Sequence, residues 1–231
     1  MHSLLHCKYL PFRLIKINSA PNSISESFLR VRNQPYFRTD FVTIMSNSEE
    51  EFSNDFIFKL CVIGSGAAGK TSLIKRFTQG SFNKDYIKTL GAQFSRYETI
   101  VNRPNGEKVR ARLFLWDIAG QDQFKFMRPT FYNGAKACIV VYDLTREETM
   151  HAINDWVDDF QNYCGELPMV VFANKSDLID EEKYDDSAIK EIVKKRKFLG
   201  MYMTSAKTGK HVHDAFNAII DILVEQALDK G

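Results

Sequence analysis

A glycine-rich loop between a predicted strand and a predicted helix is the most informative stretch of the sequence. Residues 64–71 read GSGAAGKT, which matches the pattern G-x-x-x-x-G-K-[ST]. An apolar run precedes the loop, and apolar residues at helical spacing follow it. Small residues allow successive backbone N–H groups and the helix N-terminus to face an anion. The pattern therefore predicts a site for the phosphates of a nucleotide, with Lys70 on the β- and γ-phosphates and the Thr71 hydroxyl on Mg²⁺.

The elements that must position this loop alternate between strand and helix patterns. Strands are predicted at 56–63, 96–101, 109–117, 137–143, 169–174 and 201–205, and helices at 70–78, near 127–131, around 153–164, at 186–197 and from 212 to 224. Asn105-Gly106 is a strong hairpin signal between the second and third strands, and Thr145 is expected to cap the helix that follows the fourth strand. The alternation predicts an α/β three-layer sandwich of the P-loop NTPase type, with a six-stranded, mostly parallel sheet, one antiparallel edge hairpin strand and about five helices. Ligands in such sheets bind outside the carboxyl ends of the strands.

Composition and charge argue against nucleic-acid binding and against a transmembrane helix. The chain has 231 residues, 44% hydrophobic and 26% charged, which is ordinary for a globular protein. Residues 1–44 hold six basic and two acidic side chains, so the remainder carries −2 of the formal net charge of +2. That remainder has no predicted basic face, and nucleic-acid binding is not expected. No run approaches 18 consecutive apolar residues, so no transmembrane helix is predicted.

The four cysteines indicate a reducing compartment. Cys7, Cys61, Cys138 and Cys164 are far apart and lack the paired spacing of a zinc site. Two of them lie in apolar strand patterns, where cysteine behaves as a small hydrophobic residue. We therefore expect buried thiols and a cytoplasmic location.

Residues 1–50 differ from the rest of the chain because no helical or strand period persists in them. They combine short apolar pieces with prolines and a serine-rich patch. We interpret them as a disordered N-terminal extension or an over-long start of the reading frame, with Met45 as a second possible start, and residues 51–231 as the folded domain. Their basic, serine-rich composition leaves organelle targeting open as the alternative.

The motifs taken together resemble those of a known family. Residues 56–228 resemble a Ras-superfamily small GTPase, with WDIAGQDQF (116–124) and FYNGA (131–135) most similar to the Rab branch. The phosphate loop is similar to the Rho form, with Ala67 where many relatives have glycine. The resemblance implies nucleotide contacts from Gly64, Gly66, Ala67, Ala68, Gly69, Lys70, Thr71, Ser72, Phe82, Thr89, Asn174, Lys175, Asp177, Ser205, Ala206 and Lys207.

Two of these motifs would read the base. Asn174-Lys175-Ser176-Asp177 matches N-K-x-D, in which the carboxylate accepts from the ring N–H and the exocyclic amine of guanine. Adenine offers no such donor pair, which argues against an ATPase or kinase. The resemblance further implies that the Ala206 N–H donates to the guanine oxygen and that Phe82 stacks on the base.

The remaining motifs would serve Mg²⁺ and hydrolysis. The resemblance places Thr71 and Thr89 on Mg²⁺, with Asp117 holding it through a water, and gives Gly120 an N–H toward the γ-phosphate. Gln121 matches the glutamine that orients the attacking water, so the implied catalytic residues are Gln121, Lys70 and Gly120. The implied function is a slow GTPase that acts as a molecular switch in signal transduction. Ala67 and the unusual sequence TLGAQF around Thr89 leave open the alternative of a GTP-binding module with negligible hydrolysis.

The resemblance also implies partners and a location. An effector, an exchange factor and a GTPase-activating protein are expected, acting on a monomer. The chain ends LVEQALDKG with no cysteine after Cys164, and His2 occupies the position that myristoylation requires to be glycine. A lipid anchor of its own is therefore not expected, and contact with membranes would come through partners.

Overall fold

A six-stranded sheet forms the centre of the chain in the computed structural model, which describes residues 52–83 and 88–229. The strands are β1 Asn54–Ile63, β2 Ala92–Asn102, β3 Lys108–Ile118, β4 Ala137–Asp143, β5 Met169–Asn174 and β6 Met201–Thr204, in the spatial order β2-β3-β1-β4-β5-β6. Every neighbouring pair is parallel except β2 and β3, which form the antiparallel edge hairpin. The predicted fold class is confirmed. The predicted disordered extension, residues 1–50, lies outside the described residues.

Helices cover both faces of this sheet. They are α1 Lys70–Gln79, α2 Arg128–Tyr132, α3 Glu147–His151, α4 Ile153–Cys164, α5 Ser187–Lys195 and α6 Val212–Leu228, with 3₁₀ turns at Asp122–Met127 and Ser176–Leu178. The apolar residues of α1 and α6 join one buried cluster, and those of α4 and α5 join a second cluster on the opposite face. The sheet is therefore the middle layer of three. None of the helices within 52–83 and 88–229 combines the length and apolar character needed to cross a membrane.

The central strands bring their carboxyl ends to one edge of the sheet. β4 and β5 are buried along their whole length, which explains why their sequences read as uninterrupted apolar runs. The register pairs Val62 with Asp117, Asp143 with Asn174, and Asn174 with Thr204. Polar side chains from four strands therefore lie together at this edge.

The structure corrects the prediction that Thr145 caps the helix after β4. The helical region is divided into α3 and α4, and α3 begins at Glu147 after Arg146, without a side-chain cap. The Thr145 hydroxyl instead donates to Asp143 Oδ1 at 2.7 Å. The buried carboxylate therefore takes the hydroxyl that a helix terminus would have used.

Candidate functional site

The phosphate loop has a backbone conformation that two glycines make possible. Gly64 and Gly69 have φ values of +132° and +98°. A Cβ at Gly64 would lie 2.1 Å from the Val141 carbonyl oxygen, and one at Gly69 would lie 2.1 Å from Asn174 Nδ2. Ala67 has a φ of +60°, a backbone conformation that residues other than glycine rarely adopt. The loop thus fits closely against β4 and β5 while it curls toward the N-terminus of α1.

Lys70 is held against this loop at the start of α1. Its Nζ donates to the carbonyl oxygens of Gly64 at 2.7 Å and Ser65 at 2.9 Å. The side chain is buried, and burial lowers the pKa of Lys70 to about 8, although the charge of Asp117 opposes this shift. Bound phosphates would favour the charged ammonium in the same way as Asp117 does.

Three oxygen-bearing side chains converge beside Lys70. Thr71 Oγ1 and Thr89 Oγ1 lie 3.1 Å apart, and both hydroxyls donate to Asp117 Oδ2, from Thr89 at 3.2 Å. Asp117 Oδ1 is buried and has no hydrogen-bond donor among the described residues. Burial raises the pKa of Asp117, while Lys70 and the two hydroxyls oppose the shift. Mg²⁺ prefers oxygen ligands of this kind, so the three residues predicted to hold it fit a magnesium ion.

Gly120 packs directly on the phosphate loop. A Cβ at this position would lie 2.4 Å from the Gly66 nitrogen and 2.6 Å from the Ser65 carbonyl carbon, both of which are backbone atoms. Gln121 follows Gly120 toward the same loop, because a Cβ on Gly66 would lie 3.8 Å from Gln121 Nε2. The segment after β3 therefore brings the backbone of Gly120 and the side-chain amide of Gln121 to the loop.

Asn174 connects three of the predicted motifs. Its Nδ2 donates to the Ala68 carbonyl oxygen at 2.9 Å, and its Oδ1 accepts from the Ala206 N–H at 3.2 Å. The side chain is buried at the end of β5. Asn174 thus fixes the loop that contains Ala206 to the phosphate loop, and the Ala206 N–H predicted to contact a base already has an acceptor.

The two carboxylate oxygens of Asp177 have different partners. Oδ1 accepts from Ser205 Oγ at 2.6 Å, whereas Oδ2 lies 3.4 Å from Lys207 Nζ, is buried and has no hydrogen-bond donor among the described residues. Burial favours the neutral acid, but the Ser205 hydroxyl and the Lys207 ammonium outweigh it and lower the pKa of Asp177. The carboxylate is therefore charged and oriented, and one of its oxygens accepts no hydrogen bond from the described residues.

These groups surround one cavity of about 720 Å³, which is large enough for a nucleotide. Most of the predicted residues line it: Gly66, Ala67, Gly69, Lys70, Thr71, Ser72, Phe82, Thr89, Gly120, Gln121, Asn174, Lys175, Asp177, Ala206 and Lys207. Gly64, Ala68, Asp117 and Ser205 do not line it but contact the residues that do.

Some lining residues were not predicted as ligand contacts. Lys75, Asn83, Lys88, Gln93 and Leu178 also face the cavity. Lys75 lies one helical turn after Thr71, and Leu178 directly follows Asp177, so proximity in sequence to the motifs is the signal that could have identified them.

Comparisons with known proteins agree with this site. The model of the Ras family matches residues 59–225. The chain is 30% identical over 186 residues to the human (Homo sapiens) Ras-related protein Rab-27B, covering 76% of this chain and 85% of that protein. It is 34% identical over 180 residues to Ras-related protein Rab-7L1 of Rattus norvegicus, covering 76% and 86%. The chain therefore belongs to the Ras family and is a Rab-like small GTPase.

Proposed function

We propose that this protein binds GTP and GDP with Mg²⁺, hydrolyses GTP slowly and signals through two switch segments, one around Thr89 and one around Gln121. The observation that carries the proposal is the arrangement of one cavity between a phosphate loop and the carboxylate of Asp177. Oδ2 of Asp177, which lies 3.4 Å from Lys207 Nζ and has no hydrogen-bond donor among the described residues, suits the N–H pair on one edge of guanine. Adenine would leave this buried oxygen without a donor, which argues for guanine nucleotides.

The proposed reaction is in-line attack of water on the γ-phosphate. Lys70 and the loop N–H groups would stabilise the charge that develops on the phosphate oxygens, and Gln121 would orient the water. Thr71, Thr89 and Asp117 would hold Mg²⁺, which supplies further charge neutralisation when it is bound. These residues mainly position the reactants, so little covalent chemistry is required of the protein.

A slow rate follows from the chemistry proposed for this chain. Small GTPases without an activating protein turn over at about 10⁻⁴ s⁻¹, and an arginine supplied by a partner accelerates them about 10⁵-fold. That gain corresponds to about 7 kcal/mol of barrier. We therefore expect a GTPase-activating protein and an exchange factor to control the cycle.

Exposed apolar side chains follow both Thr89 and Gln121 in sequence, and such side chains suit an effector. Leu90 and Phe126 are 76% and 80% exposed. Phe94 is 50% exposed, and its ring makes T-shaped contacts with the rings of Phe114 and Trp116. Contiguous exposed aromatic side chains are typical of protein interaction sites. An effector that contacts these side chains would touch the residues that follow Thr89 and Gln121, so it could distinguish the two nucleotide states.

The experiment that tests the proposal changes the base contact. Asp177→Asn presents an amide that donates as well as accepts, which suits the carbonyl of xanthine in place of the guanine amine. We expect the variant to bind GDP about 100-fold more weakly than wild type, or about 2.7 kcal/mol, and to prefer xanthosine diphosphate. Titration of wild type and of the variant with each nucleotide, in the presence of Mg²⁺, measures these affinities.

Asp180→Asn is the matched control, because Asp180 is exposed and pairs with Lys183 outside the cavity. It should bind GDP like wild type. A purified wild-type protein that does not prefer GDP over ADP would refute the proposal, as would an Asp177→Asn variant that still prefers GDP.

A further inference from the structure

A buried carboxylate outside the predicted motifs holds two cations, of which one, Lys175, lines the nucleotide cavity. Asp143 ends β4, and its side chain is fully buried. Oδ2 accepts from Arg146 Nε at 2.8 Å and pairs with Lys175 Nζ at 2.6 Å. Oδ1 accepts from the backbone N–H of Thr145 at 3.0 Å and from its hydroxyl. Both oxygens of Asp143 are therefore fully used.

The Arg146 guanidinium extends this contact to the phosphate loop. While Nε binds Asp143, Nη2 donates to the Gly66 carbonyl oxygen at 2.9 Å. Gly66 lines the nucleotide cavity, and so does Lys175, whose backbone has a φ of +70°. Asp143 thus connects, through two side chains, the loop proposed for the phosphates and the motif proposed for the base.

The charge state of the carboxylate agrees with this role. Burial alone would raise the pKa of Asp143, but hydrogen bonds from Lys175, Thr145 and Arg146 lower it to about 2. Asp143 therefore remains ionised at neutral pH, and charge-assisted hydrogen bonds are stronger than neutral ones. Arginine is suited to such a bridge because its planar fork reaches two acceptors at fixed angles.

We propose that Asp143 and Arg146 are positioning residues that lock the phosphate loop to the base motif and thereby slow the release of bound guanine nucleotide. The inference rests on the proposed function of the cavity. Neither side chain lines the cavity itself. Both act by fixing Gly66 and Lys175 before a ligand arrives, which reduces the ordering that binding must achieve.

Substitutions of Arg146 test the bridge itself. Arg146→Met keeps the apolar part of the side chain and loses both hydrogen bonds, whereas Arg146→Lys keeps the charge but has one nitrogen for two acceptors. We expect both variants to release fluorescently labelled GDP about tenfold faster than wild type in stopped-flow displacement. A lysine variant with the wild-type release rate would show that charge alone suffices and would overturn the bridging role.

A double-mutant cycle with Asp143→Asn tests whether the two residues act together. Since Arg146 is held by Asp143, the double variant should release GDP no more than about twofold faster than the faster single variant. Fully additive effects would overturn the proposal. If Asp143→Asn does not fold, the two Arg146 variants decide the question alone, because Arg146 is 35% exposed and its replacement creates no cavity.

Two further readouts separate positioning from general stability and from catalysis. Arg103→Met is the matched control, because it removes an ion pair with Glu225 of 2.9 Å just after β2, at the opposite end of the sheet. It should leave GDP release unchanged. Single-turnover hydrolysis of bound GTP should change less than threefold in Arg146→Met. Slower hydrolysis with unchanged release would overturn the proposal.

The outcome for wild type separates this inference from the proposed function. A wild-type protein that retains no guanine nucleotide would refute the proposed function itself. Wild type that retains GDP, together with Arg146 variants that retain it equally well, would refute the positioning role alone.

Discussion

Single residues at the carboxyl ends of the strands hold the loops of this site in place. Asp117 lies one residue before the end of β3, Asp143 ends β4 and Asn174 ends β5. Each contacts a residue of another loop: Thr89, Lys175 and Ala68, respectively. Buried polar groups of this kind are costly unless all their bonds are made. Their contacts therefore fix the loops as well as the ligand atoms.

At this scale, Gln121 decides between a hydrolytic switch and a passive binding module. Gln121→Leu removes the amide proposed to orient water, so single-turnover hydrolysis should fall at least tenfold while GTP affinity stays within threefold of wild type. Rapid quench of protein loaded with radiolabelled GTP measures the rate. Gln123→Leu, at an exposed position two residues later, should hydrolyse GTP like wild type. Equal, near-zero rates in wild type and Gln121→Leu would favour the passive module.

Sequence motifs predicted residues in the cavity but not the groups behind them. Fixed spacing identified the phosphate loop and the N-K-x-D motif, because their geometry depends on residue type. Arg146 reaches Gly66 across 80 positions of sequence. No local pattern encodes that contact. Asp143 follows an apolar strand pattern as Asp117 does, and this position could have identified it as a candidate site residue.

Among the elements, α1 carries Lys70 and Thr71 and is fixed to the sheet through Phe77. The Phe77 ring stacks on Phe216 of α6 at a centroid distance of 4.1 Å and contacts Tyr97 of β2 at 4.3 Å. Phe77 is 2% exposed. The position of α1, and with it the phosphate loop, depends on this aromatic cluster.

We expect Phe77→Ala to lower the free energy of unfolding by about 3–5 kcal/mol, because it leaves a cavity between α1, α6 and β2. Denaturant unfolding of nucleotide-loaded protein measures the change. Phe126→Ala removes a ring that is 80% exposed, so it should change the free energy of unfolding by about 0.5 kcal/mol or less. Similar losses in the two variants would contradict a structural role for the cluster.

The bounds of a strand were predictable from the sequence where every residue of that strand is buried. β4 and β5 were predicted with their observed bounds, because every residue of both strands is buried. β2 begins at Ala92 rather than at residue 96, since its first residues are partly exposed at the sheet edge and their pattern does not alternate. The Thr145 cap failed for a different reason: the carboxylate of Asp143, two residues earlier, accepts the hydroxyl.

For the whole molecule, the lowered pKa of Asp143 predicts a loss of stability in acid. A carboxylate with a native pKa of about 2 and an ordinary value of 3.8 stabilises the native state fully above about pH 5, and the contribution disappears as the pH falls through 2. The total is about 2 kcal/mol, with about half lost by pH 3. Denaturant unfolding at pH 5 and pH 3 should show a steeper loss in wild type than in Asp143→Asn. Identical pH dependence would contradict the assignment.

The left-handed backbone of Ala67 restricts which amino acids this position can tolerate. A methyl group there costs about 1 kcal/mol in every folded molecule. Glycine would remove that cost but give the empty loop more conformations, and a β-branched residue would raise it further. Mutational drift at position 67 should therefore be confined to glycine, alanine and the short polar residues asparagine and aspartate.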